Sequence, residues 1–118
     1  MKKVLIVDDS LYMRTMIESA LSSANYEIVG HAATGEEAIE KALELEPDII
    51  TLDNVLPDMI GIDVLKILIG EEEVKSKIIM ISAVGQDNII DEGLSNGALD
   101  YLVKPFTPEI LIDKINSL

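Results

Sequence analysis

The chain has 118 residues, nine basic and 22 acidic, giving a formal net charge of −13 at pH 7, with 48% apolar residues, 26% charged residues and no cysteine. That composition suits one soluble domain with a real core and no disordered stretch. It excludes disulfides and thiolate metal sites, and it argues against nucleic acid, whose phosphates need a lysine and arginine patch.

The opening MKKVLIV starts as a signal peptide would. Asp8 and Asp9 end the apolar stretch well short of the ~7–15 residues of an h-region, and no small-residue cleavage site follows. No apolar run approaches the ~20 residues of a membrane span. The reading is a cytoplasmic protein without membrane contact, a single domain over residues 1–118. KVLIV is a first strand, and Met13, Ile17 and Leu21 mark a helix after it. EIVGHA is a second strand that carries the only histidine, His31, in a structural role. Thr34 stands three residues before Glu37, the spacing of a capping box, and the helix it opens runs through Ala38, Ala42 and Leu45 to Pro47. DIITL follows as a third strand ending at Asp53, and a third helix contains Leu65 and Leu68 or Ile69. KIIMIS is a fourth strand ending at Ser82. The helix after it holds Gly93, which costs about 1 kcal/mol relative to alanine, and Gly97 is its C′ glycine. DYLVK is a fifth strand ending at Lys104-Pro105. Thr107 and Pro108 then cap and start a last helix through Leu111, Ile115 and Leu118. Met13, Met16, Met59 and Met80 read as packing residues.

The strands are apolar almost without alternation, as parallel strands covered on both faces are. Strict β–α alternation therefore predicts an α/β protein, a (βα)5 doubly wound parallel five-stranded sheet with right-handed crossovers. Ligands of such sheets bind outside the carboxyl ends of the strands. Asp8, Asp9, Asp53, Ser82 and Lys104 should converge there. Three carboxylates cannot sit together unaided: at ~4 Å and an effective dielectric of ~20 each pair repels by roughly 4 kcal/mol. Protonation, a lysine or a metal must neutralise them. All-oxygen ligands without histidine or cysteine favour a hard cation, and a shallow loop-built site suits Mg²⁺. A carboxylate beside Mg²⁺ and an ammonium is a nucleophile for phosphoryl groups. Asp53, alone on its strand end, is the candidate, with Ser82 a hydrogen-bond donor to the phosphoryl oxygens.

In order and spacing, VDD, LD…P…G, SA and KPF resemble the receiver domain of two-component response regulators over essentially the whole chain. The resemblance implies a flavodoxin-like fold with strand order 2-1-3-4-5 and a phosphorylation-activated regulator. Asp53 becomes the phospho-acceptor (4-aspartylphosphate), and Asp9 and Asp53 become Mg²⁺ ligands together with the backbone carbonyl of Val55. Asp8 acts mainly through water. Ser82 and Lys104 contact the phosphoryl group, the Lys104-Pro105 bond is cis, and Tyr101 and Ser82 form the switch pair. The implied partners are a histidine kinase of the CheA type, a flagellar or archaellar motor-switch or adaptor protein, and a separate phosphatase. The chain itself is a monomer that signals by binding. DDSLYMR and SAVGQ resemble stand-alone chemotaxis regulators, the alternative being a receiver of another two-component pathway. Catalysis is confined to self-phosphoryl transfer and slow autodephosphorylation. Val55 and Val84 are apolar where fast-dephosphorylating relatives carry amide or acidic side chains that hold the attacking water. Ile60 stands where many relatives have asparagine.

Two rival functions fit less well. An aspartyl-phosphate hydrolase resembles a D-x-D pattern at its nucleophile, which VDDS lacks. A flavin- or nucleotide-binding domain needs a glycine- or hydroxyl-rich loop after the first strand, where the acidic pair would repel phosphate.

Overall fold

The computed structural model describes residues 1–83 and 87–118. Ten elements alternate: β1 (Lys3–Val7), α1 (Leu11–Ser23), β2 (Glu27–Ala32), α2 (Gly35–Leu45), β3 (Ile49–Asp53), α3 (Gly61–Gly70), β4 (Lys77–Ala83), α4 (Asp87–Ser95), β5 (Asp100–Lys104) and α5 (Pro108–Asn116). The strands form one parallel sheet in the order β2-β1-β3-β4-β5, the doubly wound flavodoxin-like arrangement.

Each strand sends alternate side chains to opposite faces, so both faces must be covered. On one face Val4, Ile6, Ile49 and Ile81 pack with Ile17 and Leu21 of α1 and Leu111 and Ile115 of α5. On the other, Leu5, Val7, Ile50, Leu52 and Met80 pack with Ala38 and Ala42 of α2 and Leu65 and Leu68 of α3. Each fully buried aliphatic side chain contributes about 1.5–3 kcal/mol. Met13, Met16, Met59 and Met80 lie in packing positions, Met80 buried and the others partly so.

The helix ends follow local chemistry. Thr34 Oγ1 accepts the Glu37 amide at 3.1 Å, and the Glu37 carboxylate reaches back to the Ala33 amide, one residue before the cap. Thr107 Oγ1 accepts the Ile110 amide at 3.2 Å, with Pro108 at the first helical position. At the end of α4, Gly97 has φ +113°; its amide bonds Leu94 O and the Ala98 amide bonds Gly93 O, a Schellman closure that needs a residue tolerant of positive φ. Gly93 itself is a contact residue: a β-carbon there would lie 3.3 Å from Met80 Cγ and 3.5 Å from Ile62 Cδ1, so what it costs α4 is offset by close approach to the sheet. Two boundaries move by a residue or two from expectation. β3 begins at Ile49 because the Asp48 carboxylate accepts the Lys3 amide at 2.7 Å, and α5 ends before Leu118, with Ser117 as its C-cap. Val84 and Gly85 lie outside the described residues.

Candidate functional site

Parallel register places the carboxyl ends of β1, β3 and β5 at one edge, and their polar termini meet there. Asp8 is fully buried, Asp53 is 6% exposed and Asp9 is exposed. One carboxylate oxygen from each lies within 4.8 Å of the others. Lys104, which ends β5, sends Nζ to Asp8 Oδ2 at 3.1 Å and to Asp53 Oδ1 at 3.3 Å, so a single ammonium bridges two carboxylates. The Lys104-Pro105 peptide is cis.

Burial pushes the Asp53 carboxyl above its ordinary range. The Asp8 charge adds to that, Lys104 opposes it, and Asp9 adds a smaller push. Burial pulls Lys104 down, but the Asp53 and Asp8 charges outweigh it and hold the ammonium above its usual value. One lysine thus leaves the cluster under-neutralised, and the pressure falls on Asp53. A divalent cation would relieve it. The residues fit Mg²⁺: three hard oxygen donors lie within one cation's reach, and among the described residues no histidine or cysteine joins them and an adjacent buried hydroxyl has no partner. That hydroxyl is Ser82 Oγ, on a residue 1% exposed, with no hydrogen bond among the described residues. Leaving such a group unpaired costs about 1–3 kcal/mol, which is explained if it serves a phosphoryl oxygen.

The Asp8 carboxylate is occupied. Oδ1 accepts the Ser10 amide at 2.9 Å and Oδ2 takes Lys104, which suits an indirect part in holding a metal. Val55 follows in the β3–α3 loop, its side chain 57% exposed, bridged antiparallel to Ile60. The loop is closed by the Gly61 amide donating to Asn54 O at 2.6 Å. A β-carbon at Gly61 would land on the Asp53 carbonyl oxygen and 2.7 Å from Asn54 Cα, so only glycine permits this approach. Ile60 is the N-cap of α3 and provides no side-chain cap bond. Tyr101 is partly buried on the α2/α3 face, registered opposite Met80, two residues before Ser82. Lys114 Nζ lies 5.2 Å from its ring centroid. His31 is not brought to the site; its Nε2 pairs with Glu18 Oε1 at 2.6 Å.

Two residues that matter here were not singled out from the sequence. Asp58 accepts the amides of Gly35 and Glu36 at 2.8 and 3.0 Å. These are free donors of the α2 N-terminus, and they hold its carboxyl below the usual range. That bond pins the β3–α3 loop to α2. Asn54, beside Asp53, is 2% exposed with Oδ1 unpartnered among the described residues. Its type after an apolar strand gives no hint of burial.

The arrangement can bind a hard cation, present one buried carboxylate as a nucleophile, and offer an ammonium and a hydroxyl to the oxygens of an incoming tetrahedral anion. Residues 4–116 match the family model described as response regulator receiver domain. The chain is 43% identical over 117 residues to the chemotaxis protein CheY of Thermotoga maritima, covering 99% of this chain and 97% of that one. It superposes on the chemotaxis response regulator CheY4 of Vibrio cholerae with TM-score 0.91 at 36% identity, covering 99% and 98% of the two chains. A CheX-CheY-BeF3-Mg complex from Borrelia burgdorferi gives TM-score 0.91 at 33% identity, with 98% and 87% covered.

Proposed function

The chain belongs to the response regulator receiver family, and from that premise we propose that it is a phosphorylation-switched signalling protein of a chemotaxis pathway. Asp53 takes the phosphoryl group of a phosphohistidine on a kinase of the CheA type. Its oxygen forms the new P–O bond as the P–N bond of the donor breaks, and the departing imidazole takes up a proton. Asp9, Asp53 and the Val55 carbonyl would hold Mg²⁺, with Asp8 acting mainly through water. The bound cation supplies charge neutralisation for the carboxylates and the transferring oxygens. Lys104 shifts from bridging Asp8 and Asp53 to pair with the phosphoryl group, and Ser82 Oγ finds its missing partner there.

The observation that carries the proposal is the ammonium bridging Asp8 and Asp53 beside an unpartnered buried hydroxyl. Phosphorylation adds charge of about −1.5 to −2, and that charge draws on Ser82 and, through β4 and β5, on Tyr101. The altered face then binds a motility-switch or adaptor protein. Relatives named CheY and the crystallised CheX-CheY complex support chemotaxis over another two-component pathway. The protein works as a monomer in the cytoplasm; among the described residues no helix is long and apolar enough to cross a membrane. The apolar, exposed Val55 offers nothing to hold an attacking water, so the aspartyl phosphate is long-lived and a separate phosphatase ends the signal.

Transfer from a purified chemotaxis histidine kinase carrying ³²P on its histidine tests the reading. Label should move to the wild type within seconds, stay off Asp53→Asn, and persist on the receiver for minutes once the kinase is removed. Label that remains on the kinase would overturn the proposal, and loss from the receiver within seconds would overturn the slow-dephosphorylation part alone.

A further inference from the structure

Arg14 is the chain's single arginine; the other eight basic residues are lysines. It sits in the opening of α1, four residues after the N-cap Ser10, with its own amide bonded to Ser10 O at 3.0 Å. A cation at a helix N-terminus meets the wrong end of the helix dipole and is mildly unfavourable there. Something local offsets this. Arg14 Nη1 donates to the backbone carbonyl of Asp8 at 2.7 Å. That carbonyl belongs to a fully buried residue just past the last residue of β1, where the sheet ladder no longer supplies a donor.

With this bond every polar group of Asp8 is held. The amide donates to Ala32 O at 3.0 Å, the carbonyl accepts Arg14, and the two carboxylate oxygens accept Ser10 and Lys104. The Asp8 carbonyl lies in the peptide that joins Asp8 to Asp9. Fixing it therefore fixes the direction in which the chain leaves for Asp9, the exposed member of the carboxylate trio, whose side chain has no hydrogen bond among the described residues. We infer that Arg14 is a positioning residue of the metal site: its guanidinium clamps the Asp8–Asp9 peptide so that the two carboxylates face Asp53. This rests on the reading of that cluster as the Mg²⁺ site. Nη1 alone makes the bond, and Nε is buried without a partner among the described residues, so the clamp lies in the rigid guanidinium plane, whereas a lysine is a point donor on a flexible stem and fixes a carbonyl less firmly.

The sign of the effect makes the inference testable. By Coulomb's law alone, removing a cation from beside three carboxylates strengthens Mg²⁺ binding. Loss of a clamp weakens it. Mg²⁺ titration by calorimetry at constant ionic strength on wild type and Arg14→Met should show affinity about three- to tenfold weaker in the variant, the worth of one hydrogen bond. Exchange of the Ser10 amide, bonded to Asp8 Oδ1, should quicken while amides of β4 keep their protection. Unchanged or tighter Mg²⁺ binding in the variant would overturn the inference. If Arg14→Met does not fold, Arg14→Lys carries the same test, since it keeps the charge and loses the fork; weaker binding supports the clamp, and equal or tighter binding overturns it. A wild type that binds no Mg²⁺ would instead overturn the metal-site reading itself, which keeps the two failures apart.

Discussion

Replacing Asp53 by its neutral isostere, Asp53→Asn, should make the metal-free protein more stable. Asp53 faces the buried Asp8 with oxygens within 4.8 Å, a contact that at an effective dielectric of ~20 repels by roughly 3.5 kcal/mol, while the exposed, solvent-screened Asp9 adds less. Lys104 at 3.3 Å returns roughly 5 kcal/mol on the same scale. Charge attraction and repulsion thus largely offset each other, and burial of the ionised group, the largest cause of the raised Asp53 carboxyl with the Asp8 charge next, leaves a penalty of about 1–3 kcal/mol. Lys104 keeps Asp8 as partner in the variant, so no cation is stranded. Urea denaturation in EDTA at pH 7 should place Asp53→Asn about 2 kcal/mol above wild type, a rise of roughly 6–10 °C in Tm. Saturating Mg²⁺ should reverse the order. A ligand at a hundred times its Kd stabilises by about 2.7 kcal/mol, and the variant lacks one carboxylate ligand. An Asp53→Asn protein less stable than wild type in EDTA would refute the electrostatic account, because the site would then be neutralised without a metal.

The same group sets a pH dependence. Its folded pKa lies above the unfolded one, so between the two the native state binds the proton more tightly and stability falls as pH rises. In EDTA the advantage of Asp53→Asn over wild type should therefore grow as pH climbs from about 4 through the raised pKa, and a constant difference would contradict it. Ser82→Ala removes a buried hydroxyl that has no partner among the described residues, so the resting protein should lose nothing and gain up to about 1 kcal/mol, while phosphorylation by a small phosphodonor slows; a destabilised variant in the urea assay would mean the hydroxyl is already paired. Gly61→Ala drives a β-carbon into the Asp53 carbonyl and Asn54 Cα, backbone atoms that cannot swing aside. It should cost about 1–3 kcal/mol in urea melts and weaken Mg²⁺ binding, and a cost near zero would show the loop to be free to shift.

The sheet was legible in the sequence because buried parallel strands are short continuous apolar runs, and five of them are separated by capped helical stretches. The site followed from that topology: residues ending neighbouring parallel strands must meet at one edge, so Asp8, Asp53 and Lys104 could be brought together from positions 45 and 51 residues apart along the chain. What escaped depends on long-range geometry that residue type does not announce. Asp58 follows a proline as a turn aspartate would, yet it caps a helix that starts 23 residues earlier. Arg14 occupies a helical surface position whose meaning is a backbone carbonyl six residues back. Asn54 is buried where its polarity suggests the opposite. Gly93 reads as a helix weakener and proves to be a contact with Met80 and Ile62.

Intact mass after incubation with Mg²⁺ and acetyl phosphate, with Asp53→Asn and EDTA controls, tests the central claim most directly. One added phosphoryl group on the wild type, about 80 mass units, absent from the variant and from the chelated sample, is the predicted result. An adduct that survives in Asp53→Asn, or a wild type that binds Mg²⁺ and stays unmodified, would contradict it.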